Sequence, residues 1–345
     1  MVTQKDVADR AGVSFITVSR VVNNLGNVKQ ETRTRVEQAI RDLRYHPNRQ
    51  AQALNNGLTH TLALVTPRMF DRPLFNNFYV MNLLSGVEMR GRETGWDVLM
   101  STDFDREGEF DFLRVWHQRK VDGLIFVGLN RFPEGQLREI EQNRVPCVSI
   151  SDRIPSPAIS WVDTANDEAS ADAVSRLAAL GHRHFAFLGI DPTLDYNPNF
   201  QDRERGVRRA VETRGLRLDV FSARNLATAG PETSQMYLDQ TPRATAVIAG
   251  NDSLAVNFVK AVTREGWLCP RDFSMVGFDA EPEGRLQSPS LASYRQPLLE
   301  MGQTAVRILV DQLTSPRKEK VERTFPLEYV TGESVAPPSL AACRT

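Results

Sequence analysis

The chain has 345 residues and a formal net charge of −1, with 41% hydrophobic and 25% charged residues. This length predicts two or three domains, and the composition excludes disordered and fibrous classes. No apolar run reaches the roughly 18 residues that span a bilayer, and the three cysteines are far apart. We therefore expect a cytoplasmic protein with no cofactor, no bound metal and no membrane contact.

Charge is unevenly distributed along the chain. Residues 1–60 hold nine Lys or Arg against five Asp or Glu, whereas the remainder holds 33 against 38. A basic head on a mildly acidic body suits contact between the head and nucleic-acid phosphates. A solvated helical surface has the same composition, so charge alone leaves both interpretations open.

Two short helices joined at a glycine are predicted at the N-terminus. Thr3 and Asp6 have the spacing of a capping box for a helix over 4–11, and Ser14 can cap the next helix. Such a pair forms a helix-turn-helix motif, whose second helix enters the DNA major groove. The residues with the spacing to pack the pair are Val7, Ala8, Ala11, Val13, Val18 and Val21.

A third helix is predicted from about Gln30 to Arg44, ending before Pro47. The stretch 48–57 can form a short helix but buries little, so by itself it is marginal in water. We expect it to fold on contact with a partner; the alternative is a plain interdomain tether.

From Thr61 short apolar runs alternate with amphipathic helices, which indicates βαβ units and parallel sheets. Strands are predicted at 62–65, 97–100, 123–128, 147–150, 159–163, 185–190, 218–221, 246–249 and 274–278. Helices are predicted at 77–93, 107–119, 134–143, 166–180, 201–214, 230–240 and 252–265. These strands are too many for a single sheet, so two lobes are expected. A ligand is expected between them, at the carboxyl ends of the strands.

Polar residues stand where that rule predicts a site. Asn251 and Asp252 follow one predicted strand, Asp279 follows another, and Arg203 lies near the start of a helix. Guanidinium, amide and carboxylate groups can hold adjacent sugar hydroxyls in paired hydrogen bonds. Two alternatives stay open: Asp252 as a helix N-cap, and Arg203, beside Arg205, as a surface ion pair.

Aromatic residues near strand ends are candidate platforms for the apolar face of a sugar ring. Phe78 and Tyr79 begin the helix after the first predicted strand, and Trp161 lies near the end of another.

The head contains the runs TQKDVADRAGVSFITVSRVVNN and VKQETRTRVEQAIRDLRYHPNRQAQAL. These runs resemble the N-terminal signature of the LacI/GalR (lactose-repressor/galactose-repressor) family of bacterial transcription regulators. The resemblance implies an all-α helix-turn-helix head, a hinge helix, and an α/β body of two parallel-sheet lobes resembling type I periplasmic sugar-binding proteins. The implied divisions are a DNA-binding head at 1–46, a hinge at 47–59, a first lobe at 60–161 plus 294–321, and a second lobe at 162–291 plus 323–340.

The resemblance assigns DNA contacts to the head and hinge. At two positions that contact base edges in the family, this chain has Phe15 and Ile16, which can read only thymine methyls or DNA shape. Discrimination then depends on Arg20, which can bind guanine, and on Leu54 at the position of the family's minor-groove wedge. The alternative for Phe15 is packing on the head. The other candidate DNA contacts are Thr3, Ser14, Thr17, Ser19, Asn23, Asn48 and Ala51.

The resemblance also implies an effector site between the lobes. The family's motif positions correspond to Arg203, Asn251, Asp279 and Gln296, and a family carboxylate corresponds to either Ser151 or Asp152. With the aromatic candidates, the expected effector-binding set is Phe78, Tyr79, Asp152, Trp161, Arg203, Asn251, Asp279 and Gln296.

The expected protein is a ligand-responsive regulator, most simply a repressor, that binds near-palindromic operator DNA as a homodimer. A small carbohydrate is the expected effector, and a purine or nucleoside is the alternative. The resemblance implies that helix 77–93, with Leu83, Leu84 and Val87, supplies a dimer face; a helix that faces the core has the same pattern and is the alternative. A sugar-binding protein without DNA function would lack the head. An enzyme on this body is disfavoured because P-loop, G-x-S-x-G and Rossmann glycine motifs are missing from the sequence.

We predict that Leu54→Ala weakens specific operator binding far more than non-specific binding. An apolar wedge between base pairs costs a few kcal/mol in kinking but gains contact surface, and this exchange occurs only in the specific complex. Anisotropy titrations with operator and with a random duplex of equal length measure the two affinities. Equal losses on both DNAs would show that Leu54 is not a wedge.

Overall fold

The computed structural model describes residues 2–23, 26, 28–46, 57–66, 77–101, 111–128, 132–194, 197–315 and 319–339. They form a three-helix head and two α/β lobes, which confirms the predicted fold class. None of the described helices is long and apolar enough to cross a membrane. Within the same ranges, no group of His, Cys, Asp and Glu side chains has an arrangement that could hold a metal ion.

The head consists of α1 (Gln4–Ala11), α2 (Phe15–Val22) and α3 (Gln30–Leu43). The predicted capping box is confirmed: the Thr3 N–H donates to the Asp6 carboxylate at 2.8 Å, and the Asp6 N–H donates to the Thr3 hydroxyl at 3.3 Å. Gly12 turns the chain with a φ of 63°, a left-handed conformation that favours glycine. The residues that bury the three helices against one another include Val7, Val18 and Val36.

The first lobe is built on six parallel strands. They are β1 (Thr61–Val65), β2 (Asp97–Ser101), β3 (Gly123–Val127), β4 (Cys147–Ile150), β5 (Ser160–Thr164) and β11 (Glu322–Phe325). Their order is β11-β5-β4-β3-β1-β2. The helices of this lobe are α4 (Phe78–Thr94), α5 (Arg114–His117), α6 (Glu134–Asn143) and α12 (Leu298–Thr314).

The second lobe repeats this plan. Its strands are β6 (His184–Ile190), β7 (Arg217–Ala223), β8 (Ala246–Ala249), β9 (Ser274–Phe278), β10 (Ala292–Arg295) and β12 (Glu328–Val330). Their order is β12-β10-β9-β8-β6-β7, with only β12 antiparallel to its neighbour. The helices are α7 (Asn166–Ala179), α8 (Pro198–Thr213), α9 (Ala229–Leu238), α10 (Asp252–Arg264) and α11 (Pro282–Arg285).

Strand pairing shifts the predicted lobe boundaries. Because β11 pairs in parallel with β5, residues 162–164 and 322–325 lie in the first lobe, although most of them were expected in the second. Tyr294 and Arg295 lie in the second lobe instead, because β10 pairs with β9 and β12. The described chain thus crosses between lobes at Ala165, at 296–297 and at 326–327.

One predicted helix was too long. Within the described residues, the helix expected over 107–119 is the single turn of α5, and Arg119 leaves it in the left-handed region at a φ of 51°. Residues 107–110 of that prediction lie outside the described part of the chain. The body strands predicted from the sequence are confirmed to within two residues at each end.

Helices α4 and α12 approach closely at two glycines. A Cβ at Gly86 would lie 2.1 Å from the Leu299 carbonyl oxygen, and one at Gly302 would lie 2.4 Å from the Leu83 carbonyl oxygen. Leu83 and Val87 are therefore buried in the core of the first lobe and cannot supply the expected dimer face.

We predict that Gly86→Ala lowers the free energy of unfolding by at least about 1–3 kcal/mol, because the backbone of α12 cannot move aside without disrupting the core. Gly135→Ala is the matched control: a Cβ there meets no atom within 4 Å. Because Gly135 lies in α6, the Gly135→Ala substitution should leave the free energy of unfolding unchanged or raise it slightly. Urea unfolding followed by tryptophan fluorescence measures both. Similar stability of the two variants would contradict the close-packing argument.

Candidate functional site

The first turn of α2 presents two apolar side chains to solvent. Phe15 is 55% exposed and Ile16 is 63% exposed, whereas Val18 in the next turn is fully buried. The alternative that Phe15 packs on the head is therefore wrong. An exposed apolar pair at the N-terminus of a helix-turn-helix second helix can contact thymine methyls in the major groove.

Polar side chains surround this apolar pair. The Ser14 hydroxyl caps α2 and lies 2.9 Å from the Thr17 hydroxyl. The Ser19 hydroxyl accepts a hydrogen bond from the Asn23 amide at 3.3 Å. Arg20 is exposed in the last turn of α2, where a guanidinium can reach phosphate or guanine.

Thr3 has a structural role in addition to its predicted DNA contact. Its hydroxyl donates to the Asp6 carboxylate at 2.8 Å, and its hydrogen bonds hold the pKa of Asp6 below the usual value. The hinge candidates Asn48, Ala51 and Leu54 lie outside the described residues.

A cleft between the lobes encloses about 880 Å³ of space, part of it open to solvent. It lies where the rule for parallel sheets places a ligand, because residues that follow the carboxyl ends of β3, β4, β8 and β9 line it. Six of the eight predicted effector residues line this cleft, namely Tyr79, Asp152, Arg203, Asn251, Asp279 and Gln296.

The other two predicted residues do not line the cleft. Phe78 is 38% exposed at the first position of α4, and because neighbouring helical residues point about 100° apart, it faces away when Tyr79 faces the cleft. Trp161 lies at the second residue of β5, away from the carboxyl end, with the Arg153 guanidinium 5.4 Å from its ring centre. The prediction that Phe78 and Trp161 line the effector site is therefore wrong.

Arg203 is the central side chain of the cleft. It is only 2% exposed and donates to the Asn166 side-chain oxygen at 2.8 Å, the Gly250 carbonyl at 2.5 Å and Asp279 Oδ1 at 3.3 Å. The surface ion-pair alternative is therefore wrong for Arg203. Arg205 forms such ion pairs instead, because its guanidinium contacts carboxylates of α7 and α8.

Gln296 connects the cleft to the crossings between lobes. Its amide Nε2 donates to Asp279 Oδ1 at 2.5 Å, and its Oε1 accepts from the Thr164 hydroxyl at 3.4 Å. Thr164 ends β5 immediately before the first crossing, and Gln296 begins the second. Asp279 itself has a φ of 101°, a conformation disfavoured for a side-chain-bearing residue and common at functional sites.

Asn251 and Asp252 have different roles. The Asn251 side-chain oxygen caps α10 by accepting from the Leu254 N–H at 2.9 Å, while the residue lines the cleft. Asp252 is neither the N-cap nor a cleft residue: it is buried, accepting from the Glu281 N–H at 2.7 Å and the Ser293 hydroxyl at 2.6 Å. Burial raises the pKa of Asp252 well above its usual value.

Ser151 and Asp152 were alternatives for the family's carboxylate position, and both residues line the cleft. The Ser151 hydroxyl forms a hydrogen bond with the Tyr79 hydroxyl, and burial raises the pKa of that tyrosine. Together they give the first lobe a polar wall facing Arg203 and Asp279 of the second lobe.

Several cleft residues were missed by sequence reasoning. Glu281 lines the cleft two residues after Asp279, and Asn199 lines it as well. Asn166 lies behind the wall, where it bonds Arg203 and donates to the Asn199 side-chain oxygen at 2.9 Å. Burial raises the pKa of Glu281 to about 7. No local pattern marked Glu281, because Asp279 and Ala280 have φ values of 101° and 50° and the alternation of a strand does not continue through them. The remaining missed lining residues include Asn77, Ile190, Asn197, Phe200 and Leu226.

Two family models match separate parts of the chain. Residues 3–48 match bacterial regulatory proteins of the lacI family, and residues 174–335 match the periplasmic binding protein-like domain. The HTH-type transcriptional regulator DegA of Bacillus subtilis (strain 168) is 33% identical over 338 residues, which cover 96% of this chain and 97% of DegA.

Solved structures agree with this relationship. The transcriptional regulator CelR in its cellobiose complex is 26% identical with a TM-score of 0.70, and the alignment covers 97% of this chain and 100% of CelR. The Lac repressor dimer bound to operator and the anti-inducer ONPF shares the fold, with 23% identity, a TM-score of 0.77 and coverage of 97% and 99%. The chain therefore belongs to the LacI family of bacterial regulatory proteins, as a ligand-responsive DNA-binding transcriptional regulator and not an enzyme.

Proposed function

We propose that this regulator represses transcription as a homodimer on a near-palindromic operator and that a small carbohydrate in the interlobe cleft controls its affinity for DNA. Operator binding would place it on nucleoid DNA in the cytoplasm. The observation that carries the proposal is the convergence of Arg203, Asn251 and Asp279 on a cleft beside the interlobe crossings.

The chemistry of the cleft supports a polyhydroxy ligand. A guanidinium, an amide and carboxylates from both lobes can bind adjacent hydroxyls in pairs. Phe200 and Leu226 add apolar surface of the kind that covers a sugar ring. CelR, one of the similar structures, was solved as a cellobiose complex.

The attachment of the head supports control by the lobes. The chain enters the first lobe just before β1, where the Thr59 N–H donates to the Asp122 carboxylate at 2.8 Å and the Thr61 N–H donates to it at 3.3 Å. A ligand that closes the lobes would change the spacing of two such attachment points in a dimer. Dimeric helix-turn-helix proteins need their recognition helices about one DNA turn apart, so small changes of spacing alter affinity.

Calorimetric titration with a panel of sugars, purines and nucleosides tests the effector class. We expect a sugar to bind, and gel shifts with and without it to show a change in operator affinity. Binding of a purine or nucleoside, with no sugar binding, would replace the carbohydrate in this proposal.

We predict that Phe15→Ala or Ile16→Ala lowers operator affinity at least about tenfold without lowering thermal stability. Both side chains are exposed in the free protein, and burying such an apolar side chain against thymine methyls would contribute about 1.5–3 kcal/mol. An operator selected from random duplexes by the unmodified protein serves as the probe in anisotropy titrations. Val18→Ala is the matched control: it removes a buried side chain and should lower the stability of the head. Unchanged operator affinity in both Phe15→Ala and Ile16→Ala would contradict a role for these side chains in contacting bases.

We predict that Arg203→Lys lowers effector affinity about tenfold or more and leaves operator affinity of the ligand-free protein unchanged. Lysine keeps a positive charge near Asp279 but loses the planar bonds to Asn166 and Gly250. Arg205→Lys, which alters only the ion pairs with Asp167 and Asp202 outside the cleft, is the control and should leave both affinities unchanged. Loss of operator binding in Arg203→Lys would show that Arg203 supports the fold rather than the ligand.

A further inference from the structure

The cleft has an excess of negative charge on its described walls. Three carboxylates line it, those of Asp152, Asp279 and Glu281, against one cation, Arg203. The Arg203 guanidinium is buried and paired with Asp279, so its charge is balanced by one of the three carboxylates. Among the described residues, an anionic ligand would therefore meet the carboxylates of Asp152 and Glu281 without a matching cation.

Glu281 differs from the other two carboxylates. Asp279 is paired with Arg203 and Gln296, whereas the Glu281 side chain forms no hydrogen bond or ion pair with any residue in the described ranges. Its backbone is held in place, because the Glu281 N–H donates to Asp252 at 2.7 Å. The cleft thus presents an unpartnered carboxylate on a fixed segment of backbone.

We propose that Glu281 selects effectors by charge: the cleft accepts neutral carbohydrates and rejects sugar acids and sugar phosphates. The inference rests on the proposed carbohydrate site and adds the ligand's charge class to it. A carboxyl group on the sugar is disfavoured because like charges in a partly buried site repel each other, by an amount equivalent to about tenfold in affinity.

Burial and the neighbouring acidic groups set the pH range in which Glu281 is charged. Asp252 on α10, Asp279 after β9 and Glu283 on α11 lie nearby, and all are acidic. Arg203 on α8 is the cation in the described cleft wall, and Asp152 is the acid contributed by the first lobe. Burial first, and then the charges of Asp279 and Glu283, raise the pKa of Glu281 to about 7. The negative charge of Glu281 is therefore present above this pH and lost below it.

The test uses matched sugars and their C6 acids: glucose with glucuronate, and galactose with galacturonate. Calorimetry on the full-length protein at about pH 8 should show each neutral sugar that binds doing so at least about tenfold more tightly than its acid. In Glu281→Gln the acid should gain about tenfold while the neutral sugar changes little. Glu283→Gln is the control, because Glu283 is exposed and its carboxylate pairs with Lys260.

A pH series separates Glu281 from a purely steric preference. Sugar acids stay ionised between about pH 6 and about pH 8, since carboxyl groups titrate near pH 4. Discrimination against the acid should therefore weaken in the unmodified protein as the pH falls through about 7. In Glu281→Gln it should be weak at both pH values.

The outcomes distinguish this inference from the proposed function. Equal affinity for a neutral sugar and its acid, or selectivity unchanged in Glu281→Gln, overturns charge selection and leaves the carbohydrate site standing. Failure of every sugar and sugar acid to bind overturns both. The same loss of selectivity in Glu283→Gln would assign the effect to the general surface charge and overturn the role of Glu281.

Discussion

The buried guanidinium of Arg203 is the constraint on which the cleft depends. It joins the start of α7 through Asn166, the turn before α10 through Gly250, and the end of β9 through Asp279. Phe278 lies beneath it, with its ring centre 4.5 Å from the guanidinium carbon. Since removing one partner of a buried charge pair costs about 3–5 kcal/mol, these segments hold one arrangement in the absence of ligand. The site is therefore largely organised before an effector arrives.

The same network reaches the crossings between the lobes. Asp279 accepts a hydrogen bond from Gln296, which accepts one from Thr164, so the cleft carboxylate is two hydrogen bonds from the first crossing. An effector hydroxyl that binds Asp279 competes with these bonds. A ligand can shift an equilibrium only through different contacts in its two states, and this shared carboxylate supplies such a difference. The geometry gives a physical route from ligand binding to lobe movement.

Local chemistry explains why most of the head and the strand positions were predictable. A capping box, a left-handed glycine and the alternation of apolar runs depend on residues a few positions apart. Five of the six predicted residues found on the cleft wall follow strand ends or start a helix, although Asp152 and Gln296 were predicted from the family resemblance alone. The predictions for Phe78 and Trp161 failed because the direction of a side chain depends on its position around the helix axis or along the strand. Only the family motif distinguished buried Arg203 from exposed Arg205. Composition and local spacing did not, because the burial of Arg203 depends on the distant residues Asn166 and Asp279 that pack around it.

By itself, the sequence determined the family, the three head helices, the alternation of strands and helices, and the strand-end polar residues, because each is a short-range property. Only the tertiary structure decided the lobe boundaries, since β11 pairs with β5 across more than 150 residues of chain. It also decided that Leu83 and Val87 are core rather than surface, and that the Glu281 side chain at the cleft has no hydrogen-bond or ion-pair partner among the described residues. These outcomes depend on which distant segments pack together. The free energy of that packing cannot be inferred from the spacing of neighbouring residues.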